Sequence, residues 1–175
     1  APEDVEFFDG TVTAEDGTPV QITELGENVF NGCENLTWAF LPESVEMIGS
    51  QSFLGCSNLQ GILIRNTEKI TIGNKAFDGC DSLRFIGSNA MDGEFLDGYS
   101  PMVTDSRNKM KYFYVPSGAA GYNENCVAFT EDSGVASYDV ISDGGNGWIL
   151  YGMDTEGEPW LALRSGETVA EKALL

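Results

Sequence analysis

Four cysteines are the residues most open to chemistry in this 175-residue chain, and three of them, Cys33, Cys56 and Cys80, fall 23 and 24 residues apart. Such spacing invites a disulfide framework, a zinc site or a nucleophilic thiol. Structural zinc needs four converging ligands, commonly from close Cys-x-x-Cys pairs. Here the cysteines are single and widely spaced, and the chain holds no histidine. The lack of histidine also removes Ser-His, Cys-His and most zinc mechanisms, while Ser-Lys catalysis and paired-carboxylate glycoside hydrolysis stay formally open. With 28 Asp and Glu, no carboxylate pair stands out. No Gly-x-Gly-x-x-Gly or Walker phosphate loop occurs. Asp143-Gly-Gly-Asn-Gly and Asp154-Thr-Glu-Gly-Glu read as turns, because neither matches a calcium loop. The expectation is a non-catalytic protein with no cofactor and no metal.

The spaced cysteines belong to a longer phrase that occurs three times: ITELGENVFNGCENL from Ile22, VEMIGSQSFLGCSNL from Val45 and KITIGNKAFDGCDSL from Lys69. The same offsets relate Gly26, Gly49 and Gly73, then Phe30, Phe53 and Phe77, then Leu36, Leu59 and Leu83. Periods in this range signal a solenoid, whose coils cannot bury their own apolar side and must stack to share a core. Phe30, Phe53, Phe77, Cys33, Cys56, Cys80, Leu36, Leu59 and Leu83 are therefore expected as an inward core ladder. Equivalent cysteines in stacked coils would sit about 4.8 Å apart, as parallel strands do, which a disulfide can span. They would nevertheless point in parallel directions, and three cannot pair fully. Free buried thiols are expected, with Cys126 unassigned.

This phrase, "hydrophobic-Gly, three residues, Phe, x-Gly-Cys, two residues, Leu" followed by a short strand, resembles the BspA-like class of bacterial leucine-rich repeats. The aligned copies cover residues 22 to about 86, and MKYFYVPSGAAGYNEN from Met110 is similar to the closing repeat of such proteins. The resemblance implies an α/β repeat fold: a short right-handed leucine-rich-repeat solenoid with parallel strands. It also implies an extracellular or cell-surface location and adhesion to host or bacterial surface proteins or glycans.

Bulk composition agrees with a chain of this kind. A net charge of −19 opposes DNA or RNA binding and reads as colloidal repulsion and solubility. No apolar run is long enough to span a bilayer, so no membrane insertion is expected within this chain. The chain opens on Ala-Pro without an initiator Met or a basic-apolar leader, which reads as a processed or trimmed form; a longer parent protein is what the resemblance implies.

Three regions are expected. Residues 1–21 alternate apolar and polar residues around Asp9-Gly10 and Asp16-Gly17, a hairpin capping the first coil. Residues 22–126 form the solenoid. Its strands start at Leu36, Leu59, Leu83 and Met110, and the family pattern that the chain resembles implies that Leu36, Ala39, Leu41, Leu59, Ile62, Ile64, Leu83, Ile86, Met110, Phe113 and Val115 point inward. Residues 88–109 read as a degenerate coil with an insertion; GEFLDGYSPM keeps a trace of the Phe and Gly-Cys signature, with Tyr99 in the cysteine place. Residues 127–175 carry strand-like stretches at 135–141, 148–153 and 160–164, a small antiparallel meander or the start of a further module.

Outward strand positions bring the remaining candidate residues together. One row reads Trp38, Gly61, Phe85 and Tyr112; a second reads Phe40, Leu63, Gly87 and Tyr114. Arg65, Arg84 and Lys111 fall on the same concave face. Contiguous aromatics rimmed by cations mark a binding surface. The same rows could equally lie under the 88–109 loop, the C-terminal meander or a neighbouring domain. Recognition through this face is the expected function. A passive spacer or scaffold within a larger surface protein is the alternative, and a carbohydrate-binding module using the aromatic strip a second one.

Overall fold

The computed structural model describes residues 4–83, 85–96, 112–116, 118–122, 137–142, 148–153, 156–157 and 159–164. The first seven strands are β1 (Phe7–Phe8), β2 (Val12–Thr13), β3 (Pro19–Val20), β4 (Glu24–Leu25), β5 (Trp38–Leu41), β6 (Met47–Ile48) and β7 (Gly61–Ile64). They are followed by β8 (Lys69–Ile72), β9 (Phe85–Ser88), β10 (Asp92–Phe95), β11 (Tyr112–Tyr114), β12 (Ser137–Ser142), β13 (Trp148–Met153) and β14 (Pro159–Arg164).

The repeat period places equivalent residues side by side, and the chain winds into a parallel-strand β-solenoid of about three turns. One sheet takes β1-β5-β7-β9-β11, all parallel. A second, narrower parallel sheet takes β10-β8-β6-β4. Between them lies the core: Leu36, Ala39, Leu41, Leu59, Ile62, Ile64, Leu83, Ile86 and Val115 from the first sheet side, Leu25, Ile48, Ile70 and Ile72 from the second. Phe30 and Phe53 stack at 5.1 Å between centroids and 11° between planes, and Phe53 meets Phe77 at 5.7 Å. Phe8 continues the row at 5.1 Å from Phe30.

The turn carrying each phenylalanine decides the character of the coil. Amides of Val29, Asn31 and Cys33 donate to carbonyls three residues back, at Gly26, Asn28 and Phe30. The alternate amides of Asn28, Phe30 and Gly32 instead donate to Ser50, Ser52 and Leu54 of the next coil, at 3.2, 2.7 and 2.8 Å. Gln51, Phe53 and Gly55 repeat this toward Asn74, Ala76 and Asp78. Asn28, Gln51 and Lys75, at one position of the three turns, take φ of 59°, 58° and 54°. An α-helix would turn its amides onto carbonyls four residues back in the same segment, not onto another coil. The helical half of the expected α/β repeat is therefore absent among the described residues, replaced by a hydrogen-bonded turn ladder and the second sheet.

The solenoid also begins earlier than residue 22. Phe7 and Phe8 pair in parallel with Trp38 and Ala39, so β1 is a strand of the first sheet and not part of a separate cap. The hairpin is confined to β2 and β3, inserted between β1 and β4. Asp9 Oδ1 accepts from the Thr11 amide at 2.8 Å, and Asp16 Oδ1 from the Thr18 amide at 2.9 Å, which makes both Asp-Gly sites turns.

At the other end, Phe95 aligns with Ile72 in β10 and not with Phe77, so it occupies the place of Ile48 and Ile72 ahead of the turn. Tyr99 and most of the expected insertion lie outside the described residues. The closing segment packs Tyr122 over Gly93. Its hydroxyl donates to the Ala90 carbonyl at 2.9 Å and meets Ser88 Oγ at 2.7 Å. Beyond it, β12, β13 and β14 form an antiparallel meander, and β12 runs against β9.

Candidate functional site

Parallel pairing sets the two concave rows. Trp38 faces Gly61, Gly61 faces Phe85 and Phe85 faces Tyr112; beside them run Phe40, Leu63, Gly87 and Tyr114. Successive side chains on a strand point to opposite faces. Since Ala39, Leu41, Ile62, Ile64 and Ile86 line the core, Trp38, Phe40, Leu63 and Phe85 fall on the far side of the sheet from the Phe30–Phe53–Phe77 spine.

Small and large residues interlock there. A Cβ on Gly61 would run into the benzenoid ring of Trp38, and one on Gly87 would come within 2.7 Å of Phe85 Cζ. Gly61 thus leaves room for Trp38 to lie across the neighbouring strand, 6.0 Å from the centroid of Phe85, and Gly87 leaves room for the Phe85 ring. Trp38 is also 6.0 Å from Phe40, which takes Phe7 edge-on at 4.9 Å. The glycines in these rows were readable from the sequence; Phe7, which extends them onto β1, was not, because the inserted hairpin breaks the repeat before Ile22.

These rings form a floor that is covered. Trp38 is 4% exposed and Phe40 2%, while Leu63 and Phe85 are fully buried. Of the two alternatives left open by the sequence, an exposed strip or a covered one, the second describes Trp38, Phe40, Leu63 and Phe85: they are brought together but do not meet solvent. Arg65 follows β7 and is half-buried, its amide donating to the Leu41 carbonyl at 3.2 Å. Arg84 and Lys111 lie outside the described residues, as do the side chains of Tyr112, Phe113 and Tyr114.

The cysteine ladder is structural in its surroundings. Cys33, Cys56 and Cys80 are buried free thiols. Cys56 Sγ donates to the Phe30 carbonyl and Cys80 Sγ to the Phe53 carbonyl, each at 3.0 Å, so these two sulfurs tie their coils to the preceding turn. The hydrogen bond with Cys56, reinforced by burial, pushes the Cys80 thiol well above its usual pKa. A thiol so held is a poor nucleophile. Cys126 lies outside the described residues. Among the described residues no cluster of His, Cys, Asp and Glu could hold a metal ion, and no helix is long and apolar enough to cross a membrane.

A groove of about 700 Å³ opens on the second sheet, lined by Glu24, Glu43, Glu46 and Glu68 together with Met47 and Lys69. Lys69 Nζ bonds Glu94 Oε2 at 2.6 Å, which holds the Glu94 carboxyl below the usual range and raises the Lys69 ammonium.

Comparison with known proteins adds the following. Residues 6–91 match the family described as BspA type leucine rich repeat region, in six copies. The match starts at the β1 coil, in agreement with the pairing of Phe7 and Phe8. No curated protein matches the chain. Among solved structures, a leucine rich cell surface protein from Faecalibacterium prausnitzii A2-165 is similar at a TM-score of 0.40 and 18% identity, over 87% of this chain. The chain spans about half, 52%, of that protein. A likeness this remote carries no argument about role.

Proposed function

Because the chain belongs, through residues 6–91, to the BspA-type leucine-rich repeats, we propose that it is a non-catalytic recognition module displayed on a bacterial surface, adhering to host or cell-surface macromolecules. The ligand face in this reading is the concave sheet, with Trp38, Phe40, Leu63, Arg65, Arg84, Phe85, Lys111, Tyr112 and Tyr114. The observation that supports it most is the in-register pairing of Trp38, Gly61, Phe85 and Tyr112, which gathers aromatics from successive coils onto one sheet face. Stacked coils give a continuous surface suited to recognition and need no chemistry.

A second reading, a spacer or scaffold within a larger surface protein, is favoured by the burial of Trp38, Phe40, Leu63 and Phe85. One experiment separates the two. Immobilised extracellular-matrix proteins and arrayed glycans are probed with the intact chain and with Arg65→Ala and Lys111→Ala. Binding that drops in these variants at unchanged Tm supports recognition through the concave face. Binding that ignores them moves the site elsewhere, and no binding to any probe supports the spacer.

A further inference from the structure

We propose that the C-terminal sheet β12–β14 seats on the Trp38–Phe40–Leu63–Phe85 floor and closes it, making the face a gated surface. Three observations carry this. First, the outward face of a one-sheet solenoid wall meets water unless something lies on it, yet Trp38 and Phe40 are 4% and 2% exposed and Leu63 and Phe85 fully buried. Second, the cover is graded along the sheet: it is complete from β5 to β9 and fails at β1, where Phe7 is 37% exposed. Third, β12 runs against β9, at the end where burial is complete.

Each side also lacks a reason to stand alone. The meander strands SYDVIS, WILYGM and PWLALR are rich in apolar and aromatic residues. A small antiparallel sheet needs a face to pack against for stability. The aromatic floor needs cover, because a contiguous apolar patch of this kind is rarely left exposed. Seating one on the other satisfies both. That an outside ligand must displace the sheet to reach the floor rests on the recognition reading; the seat itself does not.

The test uses the full chain. In the native protein, NMR is expected to show inter-strand NOEs between β9 and β12, and hydroxyl-radical footprinting to leave Trp38, Phe40 and Phe85 unoxidised. In Val140→Pro/Leu150→Pro, which removes one amide from each of two paired strands, hydrogen exchange reports loss of the 137–164 sheet. Oxidation of Trp38 and Phe85 is then expected to rise several-fold, with binding of the apolar dye anilinonaphthalene sulfonate. Absence of β9–β12 NOEs in the native chain overturns the seat. So does a melted meander that leaves Trp38 and Phe85 as protected as before. Neither result depends on whether any matrix protein or glycan binds, so failure of the seat and failure of the recognition reading are told apart.

Discussion

The Trp38 indole occupies the space above Gly61, its partner one strand over, and reaches toward Phe85 two strands over. A side chain at residue 61 and the present position of Trp38 are mutually exclusive. Gly61→Ala is expected to destabilise the protein by about 1–3 kcal/mol, the usual cost of overpacking a filled site. Urea unfolding measures it. A variant as stable as the parent would show that Trp38 does not lie where it is placed here.

Three glycines at one repeat position give a sharper contrast. A Cβ on Gly49 would come within 2.7 Å of the Leu25 carbonyl oxygen, and one on Gly73 would strike the backbone at Gly49 and Ser50. Gly26, first in the stack, meets nothing within 4 Å. Gly49→Ala and Gly73→Ala are therefore expected to cost about 1–3 kcal/mol, and Gly26→Ala to stay within about 0.5 kcal/mol of the parent. Equal losses at all three positions would contradict the order of the coils.

How much of this was legible in sequence follows from what a repeat encodes. The 23- and 24-residue offsets align residues across coils, so the rows Trp38-Gly61-Phe85 and Phe40-Leu63-Gly87 could be written down directly, while the resemblance supplied which positions from Leu36 to Ile86 point inward. The second sheet was missed although its signal is present, as an apolar residue before each turn at Leu25, Ile48 and Ile72. The α/β character was expected only from the family resemblance; nothing in the residues alone reveals that alternate amides of the phenylalanine turns leave for the next coil. Phe95 was aligned with the phenylalanine of the turn, whereas it pairs with Ile72 in the strand ahead of the turn. Burial of Trp38 and Phe85 was open because periodicity assigns a residue to a face but is silent on what lies over that face.

Electrostatics at Lys69 and Glu94 make a pH prediction. A carboxylate held below its unfolded-state pKa adds stability that is present above that value and lost as pH falls through the folded value; a raised ammonium adds stability present below its unfolded pKa and lost as pH rises through the folded one. The pair therefore contributes across the neutral range and fades at both extremes. Exposures of 51% and 50% keep the effect small and salt-sensitive. In an NMR titration Glu94 is expected to have a midpoint below the ordinary glutamate range, restored toward it by Lys69→Met. An unchanged midpoint in that variant would show the ion pair is not formed in solution.

The thiols supply an independent check on the core. Cys33, Cys56 and Cys80 are buried, and Cys56 and Cys80 each donate to a carbonyl of the preceding coil. A thiol-reactive disulfide reagent at neutral pH is expected to leave all three unmodified in the folded chain and to label them once denaturant unfolds it, with peptide mapping to assign each site. Rapid labelling of Cys80 in the native protein would place it outside the ladder.

Stacking of coils around the phenylalanine spine is most directly tested by amide hydrogen exchange at Phe30 and Phe53. Both residues sit in turns, where amides ordinarily exchange fast, yet each donates to the next coil, at 2.7 and 2.9 Å. Exchange as slow as that of Ile62 and Leu63 in the central strand β7 is the predicted result. Exchange at the rate of the exposed hairpin turn at Asp16-Gly17 would contradict the stacked solenoid.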